Sequence, residues 1–124
     1  MSVYVRNLAA GNLTTNATTS PGPTPGKSWL VKGIFLTNRD TTPRSVEVRI
    51  ANGAALPSAP QALASIAPPN MVISGLSTVV IDSEITLQYQ TGALPANQEK
   101  ININAVGTGT ISIDVVICGL ERDI

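Results

Sequence analysis

No histidine occurs in this chain of 124 residues. That removes the commonest general base, the Ser-His and Cys-His nucleophile pairs, and most zinc and iron sites together. A single cysteine, Cys118, leaves no internal disulfide to form, so the fold does not depend on an oxidising compartment. Aromatic residues are 3% of the chain against 43% hydrophobic overall, so the core must be built from Ile, Val, Leu and Ala. Lys and Arg number 8 and Asp and Glu 8, for a formal net charge of zero. Nucleic-acid binding draws most of its affinity from an excess of cations over phosphates, and no such excess exists here. Met1-Ser2-Val3-Tyr4-Val5-Arg6 lacks a basic stretch followed by an apolar one. No apolar run approaches the ~18 residues of a membrane span. The expectation is a protein made and folded in a cytoplasm, with no membrane partner.

Charged residues make up 13% of the chain, about half the ~25% of an ordinary soluble domain. Thr, Asn, Ser and Gln supply the remaining polar surface, and they tolerate burial against another subunit better than Lys or Glu. A small neutral domain of this kind is poorly protected against association, which predicts that much of its surface is covered in an assembly. The length fits one domain with one core.

What is present is strand periodicity. Ser28-Trp29-Leu30-Val31-Lys32-Gly33-Ile34-Phe35-Leu36-Thr37-Asn38 is apolar on both parities and reads as a central strand. Val46, Val48 and Ile50 alternate with Ser45, Glu47 and Arg49, the period of a half-buried strand. Asn38-Arg39-Asp40-Thr41-Thr42-Pro43 carries turn formers and reads as a hairpin connection between the two. Gly33 in mid-strand costs stability unless a bulge or a close backbone approach requires it. Short strands follow at Met71-Val72-Ile73, Ser77-Thr78-Val79-Val80-Ile81 and Ile85-Thr86-Leu87-Gln88-Tyr89. Ile101, Ile103 and Ala105 predict one inward face, and Ile111, Ile113, Val115 and Ile117 another, with Gly107-Thr108-Gly109 as the tight link of a hairpin.

Residues 1–26 read as an N-terminal strand or extended arm ending in the linker Pro21-Gly22-Pro23-Thr24-Pro25-Gly26, and residues 27–124 as the body. Within the body, the Pro- and Ala-rich stretch 53–70 reads as a long irregular loop in which Gln61-Ala62-Leu63-Ala64-Ser65-Ile66 makes one helical turn; its length marks it as a candidate contact surface. Seven or eight short strands and no amphipathic helix make the fold all-β, an antiparallel, jelly-roll-like β-sandwich.

No constellation carries chemistry. Cys118 falls on the outward parity of the last strand with no basic neighbour in sequence and reads as an inert thiol. Asp82 and Glu84 flank Ser83 at a turn, and Glu47 and Asp114 fall on outward strand positions. Glycoside hydrolysis needs two facing carboxylates and calcium needs several oxygens at close spacing, whereas capping and solvated faces account for all four. Trp29 and Phe35 share a parity and are assigned to the core rather than to a sugar-stacking platform with Tyr4 and Tyr89. Asn12-Leu13-Thr14 and Asn16-Ala17-Thr18 match the glycosylation sequon in letters, as Pro57-Ser58-Ala59-Pro60 matches a PxxP ligand. The expectation is no catalytic residue, no cofactor and no metal site: not an enzyme.

The run Lys27-Ser28-Trp29-Leu30-Val31-Lys32-Gly33-Ile34-Phe35-Leu36-Thr37-Asn38, the strand Val46-Glu47-Val48-Arg49-Ile50, and the closing Ile111 to Glu121 with its Gly119-Leu120-Glu121 ending together resemble small β-sandwich virion proteins of tailed bacteriophages. That class includes capsid decoration (cement) proteins, head fibres and tail-associated modules. The resemblance covers about half of the sequence and departs from it at 53–70. It implies a homotrimeric structural protein of the virion, assembled in the host cytoplasm. Its partner would be the major capsid protein or another virion protein, bound across capsid subunit joints through many copies. The alternative is a carbohydrate- or receptor-binding module of a head fibre or tail, which would require an exposed aromatic or a carboxylate-lined pocket, and which an exposed Trp29 would favour.

Overall fold

The computed structural model describes residues 6–14, 18–55, 60–67, 71–94, 97–106 and 110–124. They form ten strands: β1 (Arg6–Thr14), β2 (Thr18–Thr19), β3 (Lys27–Asn38), β4 (Arg44–Ala55), β5 (Pro60–Ser65), β6 (Met71–Ile73), β7 (Thr78–Ile81), β8 (Ile85–Tyr89), β9 (Glu99–Val106) and β10 (Ser112–Asp123). All pairings are antiparallel. Sheet I runs β1-β10-β3-β7, with β8 following β7 along the same edge of β3; sheet II runs β2-β9-β4-β5, with β6 beside β5 along β4. The fold is an all-β sandwich.

Strands β7 and β8 are one ribbon interrupted at residues 82–84, and β5 and β6 are another interrupted at 66–70. Counted that way the chain has eight ribbons, in the order 1-8-3-6 and 2-7-4-5, which is the jelly-roll arrangement. Most connections therefore cross from one sheet to the other. The two expected hairpins are corrected by this. β3 and β4 lie in opposite sheets, so residues 39–43 are a crossover, and β9 and β10 pair with β4 and β3 rather than with each other. Turn-forming residues are equally compatible with both connections. The core decides, because each strand buries one row of side chains against the facing sheet.

Those rows are the ones the alternation indicates. Val46, Val48, Ile101, Ile103, Ala105, Ile111, Ile113, Val115 and Ile117 are all buried and, with Leu36, Ile73 and Leu87, form one continuous core between the sheets. β3 is central in sheet I, as its two-sided apolar character requires. Residues 6–14 are an edge strand paired with Ser112 to Gly119 of β10, interrupted only by a register shift between Asn7 and Ala9. Residues 61–65 of the expected helical turn are corrected to strand: β5 pairs with Arg49, Ile50 and Ala51 of β4, and Pro60 stands at its first position, where no ladder donor is needed. Residues 56–59 and 68–70 of the expected loop lie outside the described residues.

Two devices hold the ends of the sandwich. Asn38, wholly buried at the end of β3, donates from Nδ2 to the carbonyls of Thr42 (2.9 Å) and Ile73 (3.1 Å) and accepts at Oδ1 from the Asp40 amide (2.9 Å). It thereby ties sheet I to β6 of sheet II and shapes the crossover. Arg44 closes the same corner through Asp40 (2.6 Å) and the Thr110 carbonyl (2.9 Å). At the other end Trp29 Nε1 donates to Glu121 (2.8 Å) and Lys27 pairs with Asp123.

Candidate contact surface

A bulge in β3 decides what the outer face of sheet I displays. Cys118 of β10 pairs with Gly33 but Gly119 pairs with Val31, so Lys32 is an extra residue on β3. Before the bulge Trp29 and Val31 face the core; after it Ile34, Leu36 and Asn38 do. Trp29 is 5% exposed, as expected of a core residue, whereas Phe35 is 38% exposed and points outward. The assignment of Phe35 to the core is thus overturned, because one inserted residue inverts the parity of everything beyond it. A side chain at Gly119 would collide with the Leu30 carbonyl, so the bulge also dictates glycine on the facing strand.

Outward-facing Phe35 pairs with Val116 of β10 on one side and Val80 of β7 on the other, and Val116 pairs in turn with Ala10 of β1. Ala10, Val116, Phe35 and Val80 therefore form an apolar row across four strands, with Val80 51% exposed. The neighbouring row is polar and internally satisfied. Asn12 Nδ2 donates to Asp114 (2.8 Å) and Ser112 (3.1 Å), the hydroxyls of Thr37 and Thr78 share a bond of 2.8 Å, and Arg39 pairs with Asp114. These contacts from Asn12 and Arg39 hold the Asp114 carboxyl below its ordinary range. On the other flank Lys32 reaches Glu84 at 2.5 Å. The face has an apolar centre and a charged rim, the anatomy of a protein contact.

The outer face of sheet II is different. Thr18 donates to Asn104 (2.9 Å), Arg49 to Asn102 (3.1 Å), and Asn102 to Ser20 (3.0 Å), while Glu47 stands 3.8 Å from Arg49. Toward its end Val72 and Val106 flank Ser45 with exposed apolar surface.

The structure does not assemble the remaining candidates into a site. Glu47 and Asp114 stand on opposite outer faces with the core between them, Asp82 is exposed between β7 and β8, and Glu84 is engaged by Lys32. Among the described residues no group of three or more Cys, Asp or Glu could hold a metal ion. Cys118 is half-buried on the outer face of sheet I, and Tyr89 is half-buried at the end of β8. Tyr4, Asn16 and Pro57-Ser58 lie outside the described residues. Hollows on the described surface enclose about 90, 120 and 180 Å³, well short of the ~300 Å³ at which small-molecule sites begin.

The apolar row was missed in the sequence although a signal for it exists. Val79-Val80 and Val115-Val116 are apolar doublets in otherwise alternating strands, so one member of each must face outward.

No family model and no curated protein matches the chain. Among solved structures it is similar to a chain in the structure of infectious bursal disease virus Gx strain, with a TM-score of 0.39 and 11% identity over 93% of this chain and 30% of that one. The chain thus spans less than a third of the length of that relative.

Proposed function

We propose that this jelly roll is a non-enzymatic structural protein of a virion, most specifically a capsid decoration protein that binds across the joints between capsid subunits. The observation that carries the reading is the row Ala10, Val116, Phe35 and Val80, an apolar centre on one face of a neutral domain. Repeated over many copies, a modest contact of this kind becomes tight by multivalency and ties neighbouring subunits together. Jelly rolls also serve as lectin domains, so the architecture by itself is an analogy and not a warrant. An exposed Trp29 would favour the glycan-binding alternative, and Trp29 is buried. Phe35 is exposed instead, yet its cross-strand neighbours are valines rather than the amides and carboxylates that orient a sugar.

The test is electron microscopy of the native particle carrying wild-type protein or the Phe35→Asp/Val80→Asp double variant. Density for the domain over capsid joints, lost in the double variant, is the expected result. Particles that place the domain at the tail tip, or that retain it at full occupancy in the double variant, would overturn the reading.

A further inference from the structure

The sandwich has four lateral edges, and three of them are guarded against strand addition. The β7/β8 edge is broken by the exposed Asp82-Ser83-Glu84 segment. The β5/β6 edge starts on a proline, pairs irregularly with β4, and is interrupted after Ser65. The β2 edge is two residues long, continues only through the Pro21 carbonyl, which accepts from Ile101 (2.9 Å), and then meets Pro23 and Pro25. Short strands, prolines and charges are the usual protections of an edge.

β1 carries such features only at its start, the charge of Arg6 and the register shift between Asn7 and Ala9. It runs nine residues along β10, and from Asn7 to Thr14 it contains no charge and no proline. Among the described residues nothing lies within 4 Å of where a Gly11 side chain would stand, on the inward side of the strand. Beside it the two sheets part over a hollow of about 90 Å³ lined by Ala9, Gly11, Leu13, Thr19, Pro21 and Val115. Among the described residues nothing fills the rim of this edge.

We infer that the free edge of β1 pairs antiparallel with β1 of a second copy of this chain, across a twofold axis centred near Gly11. The uncharged stretch from Leu8 to Thr14 is its own complement in that arrangement. Ala9 falls opposite Leu13 on the inward side, continuing the core layer over the hollow, and Ala10 falls opposite Asn12 on the outer side. No like charges are brought together, and a net charge of zero removes the long-range repulsion that keeps most domains apart. The product is one continuous sheet through both copies, in which each apolar row ends at Ala10 beside Asn12 of the other copy. A twofold contact consumes the edge in pairs, so it cannot build the homotrimer that the bacteriophage resemblance implies. The inference stands independently of the capsid reading.

The experiment is light scattering coupled to size exclusion over a dilution series, with hydrogen exchange of the β1 amides. Wild type is expected at twice the 12.9 kDa chain mass, with β1 amides losing protection on dilution. Ala10→Lys sets two cations close together across the axis and is expected to weaken the dimer about fivefold or more. Val80→Lys, at the far end of the same row, leaves it unchanged and reports whether association uses the face instead of the edge. Circular dichroism confirms that each variant folds, and Ala10→Glu replaces any that does not. A monomeric or trimeric wild type, or a dimer lost in Val80→Lys and kept in Ala10→Lys, overturns the inference.

Discussion

Replacing Asn38 by alanine tests whether the corner between the sheets is held by one buried amide. Three main-chain groups lose their partner: the Thr42 carbonyl, the Ile73 carbonyl and the Asp40 amide. Thr42 is exposed and Asp40 half-buried, so water replaces part of what those two lose, at about 1 kcal/mol each. Ile73 is fully buried, and its stranded carbonyl costs about 2 kcal/mol. The total is about 4 kcal/mol, which for a chain of this size lowers the melting temperature by roughly 10–15 °C. Asn38→Asp sharpens the test. At neutral pH it places a carboxylate against two carbonyls, which is at least as damaging and raises the acid's own pKa. A raised carboxyl pKa in the folded state means that stability returns, relative to wild type at the same pH, as pH falls through that value. Calorimetry of the three proteins between pH 4 and 8 gives the result. A loss under ~1 kcal/mol for Asn38→Ala, or an Asn38→Asp protein as stable as wild type at neutral pH, would refute the reasoning.

Glycines separate by what a methyl group would meet: Gly75→Ala drives it into the Thr41 backbone and Gly119→Ala into the Leu30 carbonyl. Both should cost about 2 kcal/mol or more in urea unfolding, whereas Gly11→Ala meets open space and should be neutral to ~1 kcal/mol stabilising. Stability should be nearly flat between about pH 5.5 and 7.5, because without histidine no side chain has an ordinary pKa there. Below that it should fall. Asp40, Asp114 and Asp123 are held below their ordinary range by Arg44, by Asn12 and Arg39, and by Lys27 respectively. Their contribution is therefore complete above about pH 4 and is lost as pH drops through the depressed folded values. A melting temperature that rises on acidification from pH 5 to 3 would contradict those pairings.

Which residues form strands, and which side of each strand is wet, is a local property: alternation at a period of two needs only the neighbours in sequence. Alternation alone places Ile101, Ile103, Ile113, Val115 and Ile117 inward, where they are buried, and the fold class follows from it. Gly33 calls for a bulge or a close backbone approach, but the bulge and its location at Lys32 exist only relative to β10, and with them the outward turn of Phe35. Pairing is likewise non-local. The turn residues 39–43 serve a crossover as readily as a hairpin, and the choice falls to the whole set of apolar rows seeking a facing sheet. The lack of histidine, of net charge and of disulfide chemistry is written in the sequence and limits what this protein can do. The apolar row and the unguarded β1 edge arise only when strands distant in the chain are laid side by side, because a surface is a relation between strands and not a property of any one.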